Sequence, residues 1–147
     1  MCSLRPKRIK FAKYQRGRLK CSSPGIQDLL ATNLPSFTLI STESCYVTNN
    51  HLNVAIKLIK KKLVRKGILR LHVFPDKPFT SKSIGARMGK GKGAISIWKA
   101  KVSPGSVIFS ISGVSETIVV DAFNSISKKF PCSVKVVKRN FPASFLY

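Results

Sequence analysis

Apolar positions recur along this chain with two periods, and the switches between them outline its elements. Residues 36–48, SFTLISTESCYVT, are rich in β-branched and aromatic side chains and predict a strand or a strand pair. Beyond them Leu52, Ala55, Ile56, Ile59 and Leu63 keep the i, i+3, i+4, i+7 spacing of one helix face. Thr48 or Asn49 is placed to cap that helix, and Gly67 to end it after basic residues that suit the negative end of its dipole. Period two returns in ILRLHVF, 68–74, where Leu69, Leu71 and Val73 alternate with Arg70 and His72. AISIWKAKV (94–102) and VIFSIS (107–112) flank the turn chemistry of Pro104-Gly105 and predict the two strands of a hairpin. Ser115 opens a second helix with Ile118, Val119, Ala122, Phe123, Ile126 and Phe130 on one side. Val114 and Val119 are spaced for a hydrophobic staple, Pro131 closes the helix, and SVKVVK forms a last strand.

Two stretches carry neither period. Residues 22–35, with Pro24-Gly25 and Pro35, read as loop. PDKPFTSKSIGARMGKGKG, 75–93, holds two prolines and four glycines and is predicted as one long loop without regular structure. A loop of that length in a small domain usually carries function. The element order predicts an α+β fold: two helices packed on a mixed, mostly antiparallel sheet, with a basic N-terminal arm and a long Gly/Lys-rich loop.

Composition changes the picture through charge. A chain of 147 residues with 44% hydrophobic positions fits one domain with a modest core. Its 27 Lys and Arg face only 5 acids, a net charge of +22, and the acids stand singly along the chain. Such a chain repels itself unless it meets a polyanion, and nucleic acid is the densest one in a cell. Cys2, Cys21, Cys45 and Cys132 form no C-x-x-C pair and predict reduced thiols rather than a metal site. No apolar run reaches the length of a membrane span, and the basic N-terminus lacks the apolar core of a signal peptide.

The cations concentrate in three places. Residues 1–20 hold eight of them and no acid, with Phe11 and Tyr14 interleaved, the composition of an arm that orders on an anionic partner. Lys57, Lys60, Lys61 and Lys62 cover the outer side of the first predicted helix, either solvated or laid on phosphate. The third is ARMGKGKG, 86–93, where glycines alternate with cations. It fails as a nucleotide-phosphate loop, because Gly91 follows Lys90 where a Ser or Thr should bind magnesium. It fails as a dinucleotide fingerprint, because the spacing is G-x-G-x-G and a strand follows. No paired carboxylates or Ser/His/Asp set points to catalysis, and His72 reads as an exposed strand residue. A membrane surface is disfavoured because the first helix's apolar face is needed by the sheet. DNA is disfavoured because the helices carry few residues that read base edges. Folded RNA, met by arm, loop and helix at once, fits best.

Three blocks carry a family resemblance: PKRIKFAKYQRGR (6–18), HVFPDKPFTSKSIGARMGKGKG (72–93) and ISIWKAKVSPGSVIFSISGVSE (95–116). The chain resembles the bacterial and organellar large-subunit ribosomal protein L sixteen family, the universal family whose eukaryotic cytosolic member is called L ten. The resemblance implies a structural constituent of the large subunit, not an enzyme, with no cofactor, metal or small-molecule substrate and no membrane partner. It implies contact with large-subunit ribosomal RNA, with neighbouring ribosomal proteins and with the A-site transfer RNA, whose accommodation the family supports. Residues 1–20 then act as an RNA-binding arm on a single domain, 21–147, with 75–93 as its functional loop. The expected ribosomal RNA contacts are Arg5, Lys7, Arg8, Lys10, Lys13, Arg16 and Arg18 of the arm, together with Lys57, Lys60, Lys61, Lys77 and Lys82. The loop near the transfer RNA and the peptidyl-transferase region is Arg87, Met88, Gly89, Lys90, Gly91, Lys92 and Gly93.

The chain departs from the family between 19 and 48, where a Gly- and Arg-rich segment is usual, and at Ile56-Lys57, where an Ala-Arg pair is usual. The drift toward Lys, Ile, Ser, Phe and Asn implies an A/T-rich coding genome and hence a mitochondrial ribosome. An arm that begins within five residues of Met1 leaves no room for a cleaved presequence, which fits an organelle-encoded gene. A plastid or bacterial ribosome is the alternative.

Overall fold

A computed structural model describes residues 4–19, 36–64 and 66–139. The loop expected over 22–35 lies outside those residues, as do Cys2 and Cys21. The described chain runs β1 (Ser36–Ser41), β2 (Cys45–Thr48), α1 (Asn49–Leu63), β3 (Ile68–Leu71), β4 (Lys77–Ser81), β5 (Ala94–Val102), β6 (Val107–Ser112), α2 (Glu116–Ser127) and β7 (Val134–Arg139). The expected α+β fold is the one observed, with its strands divided between two sheets. One has the order β3-β6-β1-β7, the other β2-β5-β4, and every pairing is antiparallel.

That division corrects two expectations. The predicted hairpin of 94–102 and 107–112 does not form: β5 and β6 belong to different sheets. Five consecutive residues of β6, Val107 to Ile111, are buried, so this strand needs neighbours on both edges and cover on both faces. It therefore takes a central place between β3 and β1. Between β5 and β6 the chain turns at Ser103–Ser106, where Ser106 N–H donates to Ser103 O at 3.1 Å and Gly105 takes φ +80. Pro before a positive-φ Gly is type II geometry. The turn also exchanges backbone bonds with the end of β1, Gly105 N–H to Ser41 O at 2.7 Å and Ser41 N–H to Ser106 O at 3.1 Å.

The second correction concerns 75–93, where regular structure was not expected. Lys77–Ser81 form β4 and pair with β5, so the irregular loop shrinks to residues 82–93. Pro78 is tolerated because β4 is an edge strand with a ladder on one side only. The helix faces hold in their central positions. Ile118, expected on the buried side of α2, lies at the edge of that stripe and is exposed, and α2 stops at Ser127, short of Pro131. Thr48 caps α1, its hydroxyl accepting from His51 N–H at 3.2 Å. The face of Leu52, Ala55, Ile59 and Leu63 is buried, and Ile56 is half-buried beside it. In α2 the buried residues are Val119, Ala122, Phe123 and Ile126.

The two helices pack on each other and form one layer, α1 over β2 and β5 and α2 over β1 and β7. Beneath them a row of apolar side chains crosses the larger sheet in register: Leu71, Phe109, Leu39, Val136. Phe109 is fully buried and meets Phe130 edge to face, ring centres 6.3 Å apart. One contiguous core results, joining both sheets and both helices. Cys45 and Cys132 are buried in it as free thiols. Hydrogen bonds from the Cys45 thiol and the Ser41 hydroxyl hold the Cys132 thiol below its usual range, while that same bond and burial push Cys45 up.

α1 ends at Val64, whose φ of +46 turns the chain, and Gly67, expected as the stop, lies three residues further on. Gly67 is required for a different reason. A Cβ there would collide with the Val114 side chain and lie 2.6 Å from Ser112 O, and its φ is +76. Gly67→Ala is expected to cost about 2–4 kcal/mol, the sum of a left-handed penalty and overpacking. Urea denaturation of the full chain at moderate salt measures it.

Candidate nucleic-acid interface

The face of the smaller sheet away from the helices carries aromatics and cations together. Val47, Ala100 and Val102 point into the core. By strand alternation Tyr46, Lys99 and Lys101 point the other way, joined across the ladder by Lys77 and Phe79. Tyr46 and Phe79 meet edge to face at 5.0 Å, and Lys99 Nζ lies 4.3 Å from the Phe79 ring centre.

The N-terminal arm crosses this face. Arg16 stands 5.5 Å from the Phe79 ring, and Lys77 Nζ 5.5 Å from the ring of Tyr14. Burial pushes the Tyr14 hydroxyl's pKa up, opposed by the charge of Lys77. Lys77 is itself raised by its bond to Asp76, 3.0 Å away. Such cation–ring contacts fix a cation without neutralising it. The arm is also fastened to the loop by a reciprocal pair of bonds. Lys13 Nζ donates to Lys92 O at 3.0 Å, and Lys92 Nζ donates to Tyr14 O at 2.6 Å. Arm and loop, nearly eighty residues apart in sequence, thus form one surface.

The loop has a closed neck and an open tip. At the neck, a Cβ on Gly93 would collide with the Ser81 carbonyl, so only glycine lets the two sides of the β4–β5 connection approach. Toward the tip Gly89, Lys90 and Gly91 take φ of +89, +55 and +77 in succession, and neither glycine has any atom within 4 Å of where a Cβ would stand. Lys82 Nζ reaches across the loop to Gly89 O at 2.6 Å. Ile84 and Met88 are fully exposed.

The structure brings Lys13, Arg16, Lys77, Lys82 and Lys92 together with Arg87, Met88 and Lys90 along one side of the molecule. Arg5, Lys7, Arg8, Lys10 and Arg18 lie exposed along the same arm. Lys57, Lys60 and Lys61 do not join them: they are exposed on α1, which covers the opposite face of the smaller sheet, and make a second cationic surface. Sequence reasoning missed Tyr46, Phe79, Lys99, Lys101 and the apolar tip residue Ile84. The signal for Lys99 and Lys101 was the alternation at the end of β5, where they interleave with the buried Ala100 and Val102. Among the described residues only two ion pairs form, Lys77–Asp76 and Lys138–Glu116, so nearly all of this charge is unneutralised.

An α+β domain that exposes a cationic arm, a glycine-opened loop and a cation–aromatic sheet face is built to lie against a polyanion. Residues 6–137 match the family described as Ribosomal protein L16p/L10e. The chain is 40% identical over 136 residues to large ribosomal subunit protein uL16 of Cereibacter sphaeroides, covering 92% of this chain and 97% of that one. It is 37% identical over 135 residues to uL16c of Stigeoclonium helveticum, 92% and 98% of the two chains. To uL16 of Lachnospira eligens it is 38% identical over 136 residues, 92% of each. The chain belongs to the L16p/L10e family of ribosomal proteins. It is a structural constituent of the large ribosomal subunit, associated with that subunit's RNA and proteins, and not an enzyme.

The clasp between arm and loop is open to a direct test. Replacing Lys13 and Lys92 with Ala together is expected to speed chymotrypsin cleavage of the arm at Phe11 and Tyr14 about threefold to tenfold, given the usual net worth of exposed hydrogen bonds. Timed proteolysis of the full chain measures it, with cleavage inside the core as the control.

Proposed function

We propose that this chain binds large-subunit ribosomal RNA beside the A-site through the arm–loop surface, and that the loop tip supports accommodation of transfer RNA. One observation carries the reading. The arm is fastened to the loop through Lys13 and Lys92, so the cations of both follow a single path of phosphates rather than two unrelated ones. Arg5, Lys7, Arg8, Lys10, Lys13, Arg16 and Arg18 line that path from residues 1–20, and Lys77 and Lys82 continue it to the loop of the 21–147 domain. Each cation that displaces a counterion adds about 0.7–0.9 to the salt dependence of binding, so affinity here is dominated by charge. Lys57, Lys60 and Lys61 serve a second RNA segment on the far side of α1.

At the tip, Arg87, Met88, Gly89, Lys90 and Gly91 project without side-chain cover, and Lys92 and Gly93 tie them to the neck. A tip so placed contacts a transient ligand at little cost to the fold. The bias toward Lys, Ile, Ser, Phe and Asn favours a mitochondrial ribosome.

Two outcomes are expected. In sucrose gradients of mitochondrial extract the chain co-sediments with the large subunit and stays there through a moderate-salt wash; recovery in light fractions alone removes the mitochondrial assignment. Ribosomes carrying Arg87→Gln and Lys90→Gln accommodate transfer RNA about tenfold more slowly, the worth of one charge-assisted hydrogen bond. Their subunits assemble normally, because neither side chain holds the neck. An unchanged accommodation rate removes the tip's role.

A further inference from the structure

Between the arm and the edge of the smaller sheet lies a cleft of about 260 Å³, lined by Tyr14, Arg16, Pro78, Phe79, Thr80 and Lys92. It is smaller than the pockets that hold whole cofactors, which run from about 300 Å³ upward. Its lining is unlike the rest of the cationic surface. Tyr14, Phe79 and the Arg16 guanidinium are flat groups of the kind on which nucleobases stack, and Pro78 adds apolar surface. Phe79 is anchored from the sheet side by Tyr46 and Lys99, so it is held in place before any ligand arrives. Thr80 brings a hydroxyl, and Lys92 brings an ammonium already oriented by its bond to Tyr14 O.

A purely electrostatic contact with a duplex has no use for such a lining, because paired bases present edges rather than faces. We propose that this cleft takes a single unpaired nucleobase of RNA, stacked against Tyr14 and Phe79, with the adjoining phosphate held by Arg16 and Lys92. The proposal rests on the RNA-binding reading above and adds to it a base-recognition site. Charge selects the polyanion there: Asp76, beside the cleft, is already paired with Lys77. The rings then select the unpaired nucleotide within it.

The test uses the full chain and two RNA hairpins of equal length and phosphate number, one fully paired in its stem and one with a single bulged 2-aminopurine. The bulged hairpin is expected to bind about tenfold more tightly, the scale of one base–aromatic stack, with quenching of the 2-aminopurine emission. Tyr14→Leu, on the arm and outside the core, removes both the quenching and the preference, so that the bulged hairpin then binds no more tightly than the paired one. Phe79→Leu, which keeps apolar bulk against Tyr46, does the same. Equal affinities without quenching in the native protein overturn the cleft and leave the RNA-binding reading standing. Equal loss for both hairpins in Tyr14→Leu makes that ring an anchor for the arm and overturns its stacking role. Failure to bind either hairpin overturns both readings.

Discussion

Like charges on one chain repel, and the +22 carried by these 147 residues is relieved among the described residues by just two ion pairs. Among the described residues, the core that must hold the chain together against that repulsion contains no charged side chain. Phe109, Leu39, Phe123 and Ile59 are fully buried where both helices meet both sheets, and each contributes about 1.5–3 kcal/mol of burial. The cations are left to the surface, among other places to the arm, the loop, the outer side of α1, the end of β5 and the stretch from Lys128 to Lys138. The fold separates an apolar interior from an exterior whose charge waits for an external partner. Stability and RNA affinity are therefore linked: phosphates that neutralise the surface also remove the repulsion that opposes folding.

Aromatic side chains carry out the part of this arrangement that acids do elsewhere. Phe79 holds Arg16 and Lys99 near its ring, and Tyr14 holds Lys77. A carboxylate in either place would fix the cations equally well, but it would also cancel the charge that draws phosphate. Rings orient cations at about 0.5–1 kcal/mol apiece and leave the charge intact. The loop follows the same economy of parts. Gly93 closes the neck by its lack of a side chain, whereas Gly89 and Gly91 open the tip by their left-handed backbone. The close approach at Gly93 sets where the loop leaves the sheet, and Ile84 and Met88 beyond it stay uncovered.

Much of this was legible in the chain. The helix faces of Leu52, Ala55, Ile59 and Leu63 and of Val119, Ala122, Phe123 and Ile126 were readable because the spacing that buries them is local. The Thr48 cap was readable for the same reason. The concentration of cations in residues 4–19 and 82–92 was readable from composition alone. Sheet membership was not readable. β5 and β6 look like one hairpin until the continuous burial of Val107 to Ile111 sends β6 to the centre of the other sheet. Residues 77–81 look like loop until the edge of β5 offers Phe79 and Thr80 a partner.

By itself, then, the sequence determined both helices, every strand but β4, the centre of each helix's apolar face, the excess of positive charge and the family. Those depend on residue identity and short-range periodicity, which any window of the chain displays. Tertiary structure alone decided that arm and loop make one surface, that Lys57, Lys60 and Lys61 face away from it, and that Tyr14 and Phe79 frame a cleft. The contacts responsible, Lys13 with Lys92 and Arg16 with Phe79, join residues more than sixty positions apart. No local pattern encodes such a meeting; it follows from the sheet register that brings the edge strand β4 beneath the arm.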